Sequence, residues 1–211
     1  MGRVNLSNSI KKLETLFDEV NYQFFDSECI RPIITIQTKG KRNALGWCTL
    51  WKAWKEGEYV EADSGYYEIN ISAESLHRPF SEIMRTLIHE MVHLYNIQHG
   101  VKDCSRNGTY HNKRFKETAE KHGLMVYKVD GFGFAGTKLD DDTARWIEMK
   151  FANEGFTLHR GDFAAHFEED EATAEKPKQS SRKYVCPLCE TIIRATRPVR
   201  VRCADCNCLF V

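Results

Sequence analysis

Apolar residues recur along this chain with two different periods, and each period predicts a different kind of element. In 7–25, Ile10, Leu13, Phe17, Val20 and Phe24 fall on one helical face, with Ser7 placed to cap it. Residues 33–37 form a β-branched run after Pro32 and predict a strand. A second strand is expected over 45–50, with Gly46 marking a bulge. A third is expected over 66–71, where Tyr67, Ile69 and Ile71 alternate with Glu68 and Asn70. The lysine- and glycine-bearing stretches 39–43 and 55–57 read as turns.

From Pro79, which suits a first helical position, the period returns to three and four. Phe80, Ile83, Leu87, Met91 and Leu94 predict a helix to about Gln98, stopped by Gly100. A loop is expected over 101–110, a helix over 112–122 ending at Gly123, and a helix over 140–153. Residues 156–160 read as a short strand.

After Phe167 the pattern fades. An acidic run at 168–171, then Lys176-Pro177-Lys178 and Ser180-Ser181, leave little to bury, as in a flexible linker. The expected organisation is a domain over 1–165, a linker over 166–182 and a small cysteine-bearing unit over 183–211. A length of 211 residues accommodates one ordinary domain and such an appendage.

The formal net charge is zero, so any basic surface must be local. The first residues show no secretory leader, and no apolar run is long enough to span a membrane, so a cytoplasmic protein is expected. Five of the eight cysteines crowd 186–208; in that setting they read as metal ligands, and Cys29, Cys48 and Cys104 as reduced thiols.

The predicted helix from Pro79 carries His89-Glu90-Met91-Val92-His93. Four residues make just over one turn, so both imidazoles leave the same face and can share one zinc, with Glu90 beside them as a general base. A catalytic zinc needs a third protein ligand and an open position. The spacing leaves two candidates: His99, six residues after His93 with Asn96 between, and His111, after a glycine-bearing loop.

The HExxH segment, the following loop and His111 with Phe115 four residues on resemble the SprT-like metallopeptidases. The amphipathic first helix, the early strands and the C-terminal cysteine cluster extend the resemblance over most of the chain. It implies His111 as third ligand and an α+β fold: a small zincin-like metallopeptidase domain, its few-stranded sheet packed by helices, plus a zinc ribbon. Asn112 stands where the family carries glycine. The strand at 66–71, just before the active-site helix, is a candidate edge for holding an extended substrate.

Cys186-Pro-Leu-Cys189 and Cys203-Ala-Asp-Cys206 are two CxxC pairs separated by thirteen residues, the arrangement of a four-thiolate zinc site closed to substrate. Cys208 is left over. Arg194, Arg197, Arg200 and Arg202 make the ribbon basic, which suits either phosphate contacts with single-stranded or duplex DNA or a solvated face offsetting the thiolates.

The expected protein is a monomeric zinc endopeptidase with Glu90 as base, one catalytic and one structural zinc, and protein or peptide substrates. The resemblance adds DNA-associated or DNA-crosslinked proteins as a substrate class. The competing reading is a metal-stabilised adaptor for nucleic acid or protein whose HExxH site is silent.

Overall fold

Asn5, itself extended, accepts the Ser7 N–H at 3.1 Å through its side chain, and helix α1 (Leu6–Phe24) starts there. The cap is therefore Asn5 and not Ser7, which stands inside the first turn. Leu13, Leu16, Phe17 and Val20 are buried along one stripe of α1. Each contributes about 1.5–3 kcal/mol by leaving water. The computed structural model describes residues 5–38, 44–57, 64–161 and 181–211. The turn expected at 39–43 and nearly all of the linker expected at 166–182 lie outside them.

The chain divides into two compact units, Met1–Asp162 and Phe163–Val211. In the first, strands β1 (Ile33–Gln37), β2 (Gly46–Cys48) and β3 (Glu68–Ser72) make a sheet in the order β1-β3-β2. β1 runs parallel to β3 and β2 antiparallel to it, with Cys48 opposite Ile69. β3 is the central strand, and all five of its residues are buried. The expected alternation of buried and exposed positions is absent because both faces are covered. Its central place also removes it as an edge; β1 and β2 are the edge strands of this sheet.

Helix α2 (Phe80–Gln98) follows Pro79 and packs against β2 and β3. It ends at His99, with Gly100 adopting φ +69°. The next segment is not the plain loop expected. Strands β4 (Cys104–Ser105) and β5 (Tyr110–His111) pair as a tight hairpin, with Arg106, Asn107 and Gly108 all at positive φ in its turn. Asn112 caps helix α3 (Lys113–Lys121), its side chain accepting the Arg114 N–H at 2.7 Å. Strands β6 (Leu124–Val129) and β7 (Gly133–Leu139) complete a second sheet in the order β4-β5-β7-β6. Helix α4 (Asp141–Lys150) is capped by Asp140. No strand forms over 156–160; that segment joins the fold through the Arg160 N–H to the Ala73 carbonyl at 3.1 Å.

One hydrophobic core joins α1, β1, β3, α2, α3 and α4. In the second unit, β8 (Arg182–Val185) and β9 (Ile192–Ala195) form a hairpin between and around the cysteines. The described residues give a mixed α+β molecule with four helices and small sheets, and no helix among them is long and apolar enough to cross a membrane.

Candidate metal centres

His89 and His93 leave α2 one turn apart, and β5 delivers His111 to the same point. The Nε2 atom of His111 lies 3.2 Å from that of His89 and 3.1 Å from that of His93. Three ring nitrogens so close cannot all carry protons. A tetrahedral zinc with Zn–N distances of about 2.0–2.1 Å would set them about 3.3 Å apart, so the cluster fits that ion. His99 is elsewhere: exposed at the end of α2, it donates Nδ1–H to the Tyr95 carbonyl at 2.7 Å. Asn96 does not break the helix between them. It stays within α2, buried, and donates its amide to Asp103 at 2.9 Å.

Phe115, fully buried on α3, is the floor of the cluster: its ring centre lies 4.7 Å from His89, 4.7 Å from His93 and 4.6 Å from His111. Gly133 fixes the approach of β7 to β5. A Cβ there would stand 2.2 Å from the His111 carbonyl and 2.9 Å from the Tyr110 ring, and its φ is +69°. Only glycine lets the two strands meet.

Each imidazole is held differently at its second nitrogen. His93 Nδ1–H donates to the Asp103 carboxylate at 2.7 Å. Burial opposes charge on His93, but Asp103 overrides it and raises the imidazole well above its usual range. Burial alone would raise Asp103 in turn; the His93 and Asn96 hydrogen bonds hold it below the ordinary carboxylate range. His89 Nδ1 lies 3.3 Å from the Thr137 hydroxyl. Burial, then the neighbouring His93, His111 and Arg85, push His89 well down. His111 Nδ1 is buried with no partner among the described residues, and burial lowers that imidazole to about 4.

Glu90 is only 6 % exposed, and burial raises its carboxyl to about 7 against the pull of His93 and a hydrogen bond from the Cys48 backbone N–H. Gly46 brings β2 this close: a Cβ there would sit 2.8 Å from the Asn70 carbonyl and 3.3 Å from Glu90 Cγ. Glu90 and the three histidines line a cavity of about 690 Å³. Its walls are the β2 segment from Ala44 to Trp51 and the β4–β5 turn, with the exposed Leu50, Trp51 and Phe132 also among its lining residues. Tyr110, next to His111 in sequence, packs on Gly133 and beneath the Arg106 guanidinium and is not part of that lining.

In the second unit Cys186, Cys189, Cys203 and Cys206 place their sulfurs within 4.8 Å of one another and fit a zinc ribbon. The Cys189–Cys203 sulfur separation of 3.7 Å matches the roughly 3.8 Å edge expected for Zn–S bonds of about 2.3 Å. Backbone N–H groups of Cys189 and Leu188 pull the Cys186 thiol down, while the neighbouring cysteines push Cys206 up. Arg194, Arg197 and Arg200 are exposed. Arg202 is exposed too, its Nη1 donating within the unit to the Asn207 carbonyl at 2.9 Å and to its side-chain oxygen at 3.1 Å. Tyr184 likewise accepts the Val199 N–H at 3.2 Å.

The sequence reading missed Asp103, Thr137 and Arg85, because no spacing rule ties them to the HExxH pair. A family model described as the SprT-like family matches residues 13–133, more than half of the chain. No curated protein and no solved structure matches it.

Proposed function

Because the chain belongs to the SprT-like family, we propose that it is a zinc-dependent endopeptidase working at the three-histidine centre. The observation that carries this reading is Glu90: a buried carboxyl beside three convergent imidazoles, lining one open cavity with them. A purely structural site needs no such group, whereas hydrolysis needs a carboxylate within reach of the attacking water. His89, His93 and His111 would hold the zinc. Such an ion supplies Lewis acidity at the scissile carbonyl and lowers the pKa of a coordinated water toward neutrality.

The rest falls to the protein. Glu90 accepts the proton of the attacking water on its carboxylate and returns it to the nitrogen of the leaving amine. The Cys48 backbone N–H donates to the same carboxylate. β2, the edge strand of its sheet that lines this cavity, pairs an extended substrate through backbone hydrogen bonds, a mode that reads few side chains. The ribbon holds a structural zinc. With Arg194, Arg197 and Arg200 exposed it has a surface for phosphate, which supports DNA-associated proteins as the substrate class.

The test pairs the native protein with Glu90→Gln, on an unstructured protein and a DNA-binding protein, with and without DNA. The variant should keep its metal and lose cleavage by roughly 10²–10⁴-fold. Cleavage undiminished in Glu90→Gln would sink the proposed chemistry. A native protein inert on both substrates in every condition would favour the adaptor reading.

A further inference from the structure

Zinc binding through Nε2 requires each histidine to carry its proton on Nδ1, and an acceptor for that proton fixes the ring. Asp103 does so for His93. For His89 the Thr137 hydroxyl is the one polar partner within reach of Nδ1 among the described residues, at 3.3 Å. Thr137 is 3 % exposed, set in the middle of β7. Arg85 approaches the same oxygen from one turn before His89 on α2, donating from Nη1 at 3.2 Å. Glu82 orients that guanidinium at 3.0 Å and 2.9 Å.

We infer that Thr137, braced by Arg85, is a positioning residue for the metal centre: its hydroxyl accepts the His89 Nδ1 proton and so presents the bare Nε2 to the ion. This rests on the proposed three-histidine zinc site. Thr137 lies beyond residue 133, where the family match ends, so the match assigns it nothing. A hydroxyl already accepting from a cation is a weaker acceptor than a carboxylate, so Thr137 should matter less than Asp103. The Nδ1–H of His111 has no acceptor among the described residues, so the set is graded: carboxylate, hydroxyl, none.

The hydroxyl separates this role from packing. Thr137→Val keeps the shape and removes the acceptor; Thr137→Ser keeps the acceptor and removes a methyl. Metal-free full-length protein would be titrated with zinc against a chromophoric chelator at fixed pH, and its cobalt(II) form read by visible absorption. Thr137→Val should weaken the histidine site by about tenfold or more, with an altered cobalt spectrum, while Thr137→Ser stays near native. The metal-free native protein and both variants should melt together. Native affinity in Thr137→Val, or an equal loss in both variants, overturns the inference. If the native protein takes up no metal beyond the ribbon, the zinc-site proposal itself fails and this one with it.

Discussion

The two candidate metal centres stand on opposite foundations. Around the histidines, the large unit buries a continuous core from Leu13 on α1 to Ile147 on α4, and the imidazoles rest on Phe115 at its surface. In the C-terminal unit, Cys186 and Cys203 are the only buried described residues. One fold makes its site; the other has nothing but its site to make a fold. A centre built on a packed core can leave one coordination position for chemistry, because losing the ion does not lose the structure. A centre that is the core must close all four.

The sharpest way to break this contrast is to take the metal away. Cys203→Ser, or a strong chelator, should unfold 182–211 outright, since a structural zinc supplies roughly 10–16 kcal/mol in units of this kind and no apolar core replaces it. The same chelator should leave the large unit folded. Amide NMR reads both at once: the β8 and β9 signals should collapse to random-coil positions while those of β3 stay. A dispersed ribbon spectrum after chelation would show that the small unit has a core after all.

The same contrast explains what the amino-acid order made legible. The ribbon's cysteines and the HExxH pair could be read directly, because metal geometry forces fixed local spacing. α1 and α2 were legible from their apolar stripes to within a residue or two, and α3 to within a residue from the glycine that ends it. β6 and β7 were not anticipated: their strand character depends on pairing with each other, and Gly133 and Gly136 interrupt the pattern. The 101–110 hairpin was hidden for the same reason, since β4 and β5 are two residues each and exist through their partners. With the hairpin went Asp103, and with β7 went Thr137. Supports for a ligand have no spacing rule; the fold brings them in from anywhere. The placement of the substrate edge failed because strand order, which puts β3 in the centre, is not written in any one strand.

A smaller effect sharpens the histidine side. Asp103→Asn keeps the shape but replaces the charged acceptor of His93 Nδ1–H, and should cost about 10–100-fold in zinc affinity at that centre. The ribbon metal should be untouched, and the metal-free large unit should stay folded because its core is elsewhere. Chelator competition on the native and variant proteins measures this. Equal affinities would mean that α2 alone orients His93, and that the hairpin's role ends with His111.

The smallest effect concerns Cys208, whose sulfur lies 3.4 Å from that of Cys186. The two cysteine turns repeat one another. Glu190 N–H donates to the Cys186 carbonyl and Asn207 N–H to the Cys203 carbonyl, both at 2.9 Å, with φ of 57° and 51° at Glu190 and Asn207. The next residues match too: the Thr191 carbonyl accepts from Cys186 N–H at 2.9 Å and the Cys208 carbonyl from Cys203 N–H at 2.8 Å. Cys208 therefore occupies the place of Thr191, whose hydroxyl lies 3.1 Å from the Cys189 sulfur. Each supplies a hydrogen bond to a ligand thiolate of the other turn or its own, and neither needs to be a ligand. Cys208→Ser retains a donor at that place, so it should keep the metal and the fold, with a stability change under about 1.5 kcal/mol. Cys206→Ser should lose both. The reverse pattern, metal lost in Cys208→Ser and kept in Cys206→Ser, would make Cys208 the fourth ligand and end the symmetry between the turns.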